Sequence, residues 1–109
     1  MRQYLGNYIP FYTPKFEKQI KKVGKDYKGR VKSLIEDLIL DPWHNTEFAK
    51  GQHRGKRKIR INRTDRLLFI ICEECRALKH KIYQKCSSEC DDIPEQALII
   101  GYLVTGHDY

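Results

Sequence analysis

At 109 residues the chain is long enough for one hydrophobic core and too short for two ordinary domains. Lysine and arginine total 21 against 14 aspartate and glutamate, and the resulting +7 points either to a polyanionic partner (nucleic acid, an anionic membrane or an acidic protein) or to a soluble surface that is simply basic. No run approaches the ~20 apolar residues of a bilayer span, and residues 1–12 hold only Arg2 as a positive charge and no small-residue cleavage site; a single domain in the cytoplasm is the expectation.

Residues 8–12 (YIPFY) are aromatic and β-branched and read as a first strand, with Pro10 tolerable at an edge or bulge. Thr13-Pro14 starts a helix, since threonine caps free N–H groups and proline suits the first helical position. Phe16, Ile20 and Val23 give that helix one apolar stripe, and Gly24 is read as its stop. A second helix over 26–40 buries Tyr27, Val31, Leu34, Ile35 and Leu38 and turns Lys28, Arg30, Lys32 and Glu36 to water. Asp41-Pro42 ends it, because the residue before proline is pushed out of helical geometry, and Trp43 is assigned to packing against the helix ends.

Two helices joined by a tight turn need a sheet over their apolar stripes. Residues 57–62 (RKIRIN) alternate, with Ile59 and Ile61 on one face and Lys58 and Arg60 on the other. Arg63-Thr64-Asp65 reads as a turn, 66–72 (RLLFIIC) as a buried central strand, and 96–105 (QALIIGYLVT) as the last strand, with Gly101 at a bulge or close contact. The expected class is α+β: an N-terminal strand, a helical hairpin, then antiparallel strands.

Lys58 and Arg60 share a face, and Arg66 returns beside them across the turn. Three cations on one face suit a phosphate and lower one another's proton affinity, so Lys58 is a candidate base. Such a strand also serves as a solvated face or as edge protection. His53, Arg54 and Lys56 fall in the basic run 52–58 and are candidate RNA contacts, with plain surface as the other reading. His44 is assigned to a loop.

Cys72-x2-Cys75, ten residues, then Cys86-x3-Cys90 forms two close pairs between the last two strands. Zinc takes four thiolates in a tetrahedron, and pairs at this spacing each supply two ligands. A structural zinc clip over 72–90 is the first reading and disulfides the second, while a catalytic zinc is disfavoured because four cysteines leave no open position. His80, between the pairs, could replace one cysteine, and Lys79, Lys81 and Lys85 would be basic contacts of the insert.

This order of elements resembles the RelE/ParE toxin superfamily. The resemblance rests on Phe16-Glu17-Lys18-Gln19-Ile20, Leu38-Ile39-Leu40-Asp41-Pro42, Lys50-Gly51, Lys58-Ile59-Arg60-Ile61, Arg66-Leu67-Leu68-Phe69 and Gly106-His107-Asp108-Tyr109. It spans nearly the whole chain apart from the cysteine insert, which common members lack. It implies the toxin of a type II toxin–antitoxin pair, with a cognate antitoxin as partner. The RelE-like branch cleaves messenger RNA, usually on the ribosome and without a metal, whereas the ParE-like branch inhibits DNA gyrase. By family position Arg60 and Arg66 are the phosphate clamp, Lys50 is a peripheral RNA contact and His107 is the acid, a role its ordinary pKa suits. Tyr109 would stack on a base, although the family pattern continues past this tyrosine and its spacing from Gly106 is compressed here. The resemblance therefore implies a metal-independent endoribonuclease using Lys58, Arg60, Arg66 and His107. The alternatives are a gyrase inhibitor and an inactive, basic, zinc-containing nucleic-acid-binding module.

Overall fold

A computed structural model describes residues 8–51, 56–77 and 96–105 of the chain. Its elements run β1 (Ile9–Tyr12), α1 (Pro14–Lys22), α2 (Lys25–Leu40), β2 (Thr46–Phe48), β3 (Arg57–Arg60), β4 (Arg66–Ile71), α3 (Cys72–Ala77) and β5 (Ala97–Val104). The expected strand, helical hairpin and C-terminal strands are all present, and the class is α+β. The five strands form one sheet in the order β1-β5-β4-β3-β2. From β2 to β5 every pairing is antiparallel, while β1 lies parallel to β5, Ile9 opposite Ala97.

The Thr13 hydroxyl accepts from the Phe16 amide at 3.1 Å, which is the cap the sequence calls for. Gly24 departs from its reading. Val23 and Gly24 are both extended, and Gly24 serves as the N-cap of α2, so the break between the helices needs no left-handed residue.

Both helices cover one face of the sheet. Phe16, Val31, Ile35 and Leu38 pack there against Ile59, Ile61, Leu67, Phe69, Ile71, Leu98, Ile100 and Leu103, with Trp43 partly buried beside them. A smaller cluster of Ala49, Leu68 and Val104, with Tyr102, packs on the opposite face. Strand β4 feeds both faces, which is why it reads as a continuous apolar run.

The register of β4 against β5 slips between Leu68 and Phe69, opposite Gly101. A Cβ on Gly101 would stand 3.0 Å from the Leu68 carbonyl oxygen, so the glycine marks the close backbone approach read from the sequence. Beyond the end of β1, α1 takes over the edge of β5. The Thr13 hydroxyl donates to the Gly101 carbonyl. Gln19 donates to the Leu103 carbonyl at 3.0 Å and accepts from the Leu103 amide at 2.7 Å, pairing the edge as a strand would.

Candidate nucleic-acid interface

The turn joining β3 to β4 is built by Asn62. Its side-chain oxygen accepts from the Thr64 and Asp65 amides at 2.9 and 2.8 Å, an Asx turn. Asp65 is buried and accepts from the Tyr27 hydroxyl of α2 at 2.8 Å. Burial first, then the Asp65 hydrogen bond and charge, hold the Tyr27 hydroxyl well above its ordinary pKa, so it stays a donor. Arg30 of α2 adds a 3.3 Å bond to the Ile61 carbonyl. The turn is thereby fixed to the helical layer at two points.

Arg60 and Arg66 are directly opposed in the register of β3 and β4. Two guanidinium groups so placed repel one another unless acceptors gather them. The Asn62 carbonyl does so, accepting from Arg60 Nε at 3.2 Å and from Arg66 Nη1 at 3.0 Å. Arg66 also donates to the Asp65 carbonyl at 2.9 Å. The two arginines, Lys58, Asn45, Thr46 and Glu47 line one cleft of about 420 Å³. Lys58, with its side chain only 14% exposed, extends along the cleft to the Glu47 carboxylate, Nζ to oxygen 3.7 Å. Arg60 also borders a larger cleft of about 840 Å³ that Asp37, Asp41 and His44 help to line. Asn45, shared by both, has a φ of 58°, a left-handed conformation that asparagine tolerates.

The structure thus brings Lys58, Arg60 and Arg66 together, as their spacing implies. It adds Glu47, which belongs to a short strand with no alternation to announce it, and Asn62, which looks in sequence like an ordinary turn residue. It also adds a neighbouring cluster. Lys56, at the base of the β2–β3 loop, has its Nζ 5.7 Å from the centre of the Tyr102 ring, and Lys15 of α1 lies 4.4 Å from the same ring. Burial, and then the charge of Lys15, lower the Lys56 pKa from its ordinary 10.5. Burial raises that of Tyr102. Lys50 is exposed at the start of the same loop. His53, Arg54, His107 and Tyr109 lie outside the described residues.

The cysteine pair sits elsewhere. Cys72 was expected to close a strand but opens α3, so that Cys72 and Cys75 fall one turn apart, both fully buried. Arg57, on the helix-covered face, holds α3 in place. It pairs with Glu74 at 2.8 Å and has its guanidinium 5.0 Å from the Trp43 ring and 4.6 Å from the Phe48 ring. The Tyr8 hydroxyl donates to Glu73 at 3.1 Å. Two thiols at this spacing fit half of a four-cysteine zinc site. Cys86 and Cys90 lie outside the described residues, among which no group of three or more His, Cys, Asp or Glu is gathered for a metal. Among the described residues no helix is long and apolar enough to cross a membrane.

The fold, a five-stranded mixed sheet with a helical hairpin on one face and a cationic β3–β4 hairpin, is shared with a solved structure. A chain of the crystal structure of the toxin–antitoxin complex RelBE2 from Mycobacterium tuberculosis superposes on it with a TM-score of 0.65 at 15% identity, covering 95% of this chain and 97% of that one. No protein-family model matches the sequence, and no curated protein matches it.

Proposed function

We propose that the chain is the toxin of a toxin–antitoxin pair and that it cleaves messenger RNA on the ribosome, with no metal in the reaction. The observation that carries this reading is the convergence of Arg60 and Arg66 on one carbonyl beside Lys58, a fixed pair of forks for a phosphate. Antitoxin as partner is supported by the RelBE2 complex, which pairs a toxin with its antitoxin on this fold.

Cleavage proceeds by attack of the 2′-hydroxyl on the adjacent phosphorus. A base takes the hydroxyl proton, the new P–O2′ bond forms as the P–O5′ bond breaks, and an acid protonates the departing 5′-oxygen. The products are a 2′,3′-cyclic phosphate and a 5′-hydroxyl end. Arg60 and Arg66 bind the phosphorane oxygens. The cleft holds two groups able to take the proton: the Lys58 amine in its neutral form and the Glu47 carboxylate 3.7 Å from it. His107 is the proposed acid, from its place in the sequence. Lys50, His53, Arg54 and Lys56 contact the RNA along the β2–β3 loop, and Tyr109 stacks on a base. Apart from this chemistry, Cys72, Cys75, Cys86 and Cys90 hold a structural zinc.

The test is primer extension on messenger RNA from cells induced to make the protein, alongside Arg66→Ala, His107→Ala, Glu47→Gln and Lys58→Met variants. Discrete cuts within translated codons that vanish with Arg66→Ala and His107→Ala are expected. Loss with only one of Glu47→Gln and Lys58→Met assigns the base. Growth arrest without cuts would overturn the reading in favour of a protein target such as gyrase. Absence of arrest would leave a nucleic-acid-binding module.

A further inference from the structure

Lys15 stands at the second position of α1, where the helix dipole disfavours a cation. Lys56 sits partly buried beside it. The structure nevertheless directs both ammonium groups onto the one ring of Tyr102. Among the described residues neither Lys15 nor Lys56 pairs with a carboxylate, and both ammonium groups face the π-cloud of the Tyr102 ring. Two mutually repelling cations held on a common platform are complementary to an anion that bridges them.

The placement says which anion. Lys58, Leu68 and Tyr102 occupy one row across the adjacent strands β3, β4 and β5. At the usual strand spacing, Tyr102 stands about 10 Å from Lys58. Leu68, buried in the apolar cluster it forms with Ala49 and Val104, lies between them. Two cationic seats separated by a short apolar ridge match a chain of regularly spaced phosphates better than a single small anion, which would fill one seat and leave the other.

We propose that Lys15, Tyr102 and Lys56 form a second phosphate seat, which holds a backbone phosphate of the same RNA strand whose scissile phosphate lies between Arg60 and Arg66. The inference rests on the RNA-cleaving reading above and deepens it. The seat extends the footprint across the sheet from β3 to the start of α1 and sets the direction in which the strand lies. Lys15 and Lys56 supply charge, and Tyr102 keeps their ammonium groups a fixed distance apart.

The experiment is binding of a short 2′-O-methyl RNA, which cannot cleave itself, to the full chain over a salt series by fluorescence anisotropy. Loss of two phosphate contacts in the Lys15→Gln/Lys56→Gln variant should lower the slope of log K against log salt by about 1.4, and weaken binding at low salt about tenfold. Lys28→Gln/Lys32→Gln removes equal charge from α2 on the other side of the sheet and should leave the slope at its wild-type value. Lys15→Arg/Lys56→Arg, which keeps both charges, should also retain it, and unchanged melting temperatures exclude a folding defect. An unchanged slope in Lys15→Gln/Lys56→Gln, or an equal loss in the α2 control, overturns the second seat. If the wild type binds and Arg60→Gln/Arg66→Gln leaves binding untouched, the cleavage site itself is misassigned. A wild type that binds no RNA overturns both.

Discussion

Asn62 works at both of its ends. Its side-chain oxygen closes the turn on the amides of Thr64 and Asp65, and its carbonyl receives Arg60 and Arg66. Asn62→Ala removes the first contribution and loosens the second. The expected cost is about 1 kcal/mol in urea unfolding, with RNA cleavage falling at least about tenfold in kcat/KM because the arginines lose their common anchor. A variant that lost stability and cleaved at the wild-type rate would show that Asn62 serves the turn alone. Lys56 gives a pH signature. Among the described residues the titratable groups facing it are Lys15 of α1 and Tyr102 of β5. Its pKa in the folded chain is below 10.5, so it gives up its proton at a lower pH than an ordinary lysine. A phosphate favours the charged form, and RNA affinity should therefore be greatest below the depressed pKa and fall as pH rises through it. Lys56→Arg stays charged and should remove that fall from the affinity–pH profile. Stability has the opposite sign: between the depressed pKa and 10.5 the unfolded chain binds more protons, and stability contributed by this group rises with pH.

Helix α3 is short, and six residues do not hold a helix by propensity. Its placement comes from Arg57 and Glu74, whose side chains are 13% and 7% exposed, and from Tyr8 on Glu73. Glu74→Ala leaves a nearly buried guanidinium without its carboxylate, and a loss of about 3 kcal/mol is expected in denaturant unfolding. Glu47→Ala, which removes the exposed partner of Lys58, should cost less than about 1 kcal/mol. Comparable losses would mean that α3 is held by its apolar contacts. The sequence carried the large elements well and these small ones poorly, for a physical reason. The stripe of α2 and the alternation of β3 are set by burial on one face, which leaves a period in the residues themselves. Strand β2 (Thr46–Phe48) has three residues, all partly or fully exposed, and forms because β3 offers it an edge. The turn from β4 into α3 at Cys72 is decided by Arg57, fifteen positions earlier. The parallel pairing of β1 with β5 likewise depends on contacts across the whole chain. Within the site, the cations of β3 and β4 were legible because two-residue spacing and a turn bring them together. Lys15 and Tyr102 were not, since their meeting depends on α1 lying against the edge of β5.

The molecule as a whole joins a one-sided helical core to a sheet whose other face carries Lys56, Lys58, Arg60 and Arg66, with Lys15 reaching it from α1. That division explains how a chain of +7 keeps a compact fold: the cations on the sheet stand away from the helical core, and Arg57, the basic residue of β3 on the helix-covered face, is matched by Glu74. A 109-residue domain has little stability to spare, and the excursion between α3 and β5 is the longest connection between its described elements. Cys72 and Cys75 are fixed and buried in α3, where that excursion begins. With zinc held by these two and by Cys86 and Cys90, protein purified under reducing conditions should contain about one zinc per chain. A thiol-reactive titrant should release it, and a strong chelator should lower the melting temperature by about 10 °C or more, because binding free energy is then folding free energy. Cys90→Ser, which leaves Cys72 and Cys75 unchanged, should lose the metal and show the same lowered melting temperature without chelator. Disulfides would give the opposite pattern: no zinc, indifference to chelator, and destabilisation by a reducing agent. The proposed cleavage uses none of the four thiols, so metal loss should reduce RNA cleavage only through the unfolded fraction, and full activity at low temperature in the zinc-free protein would separate the clip's role from that of the cationic face.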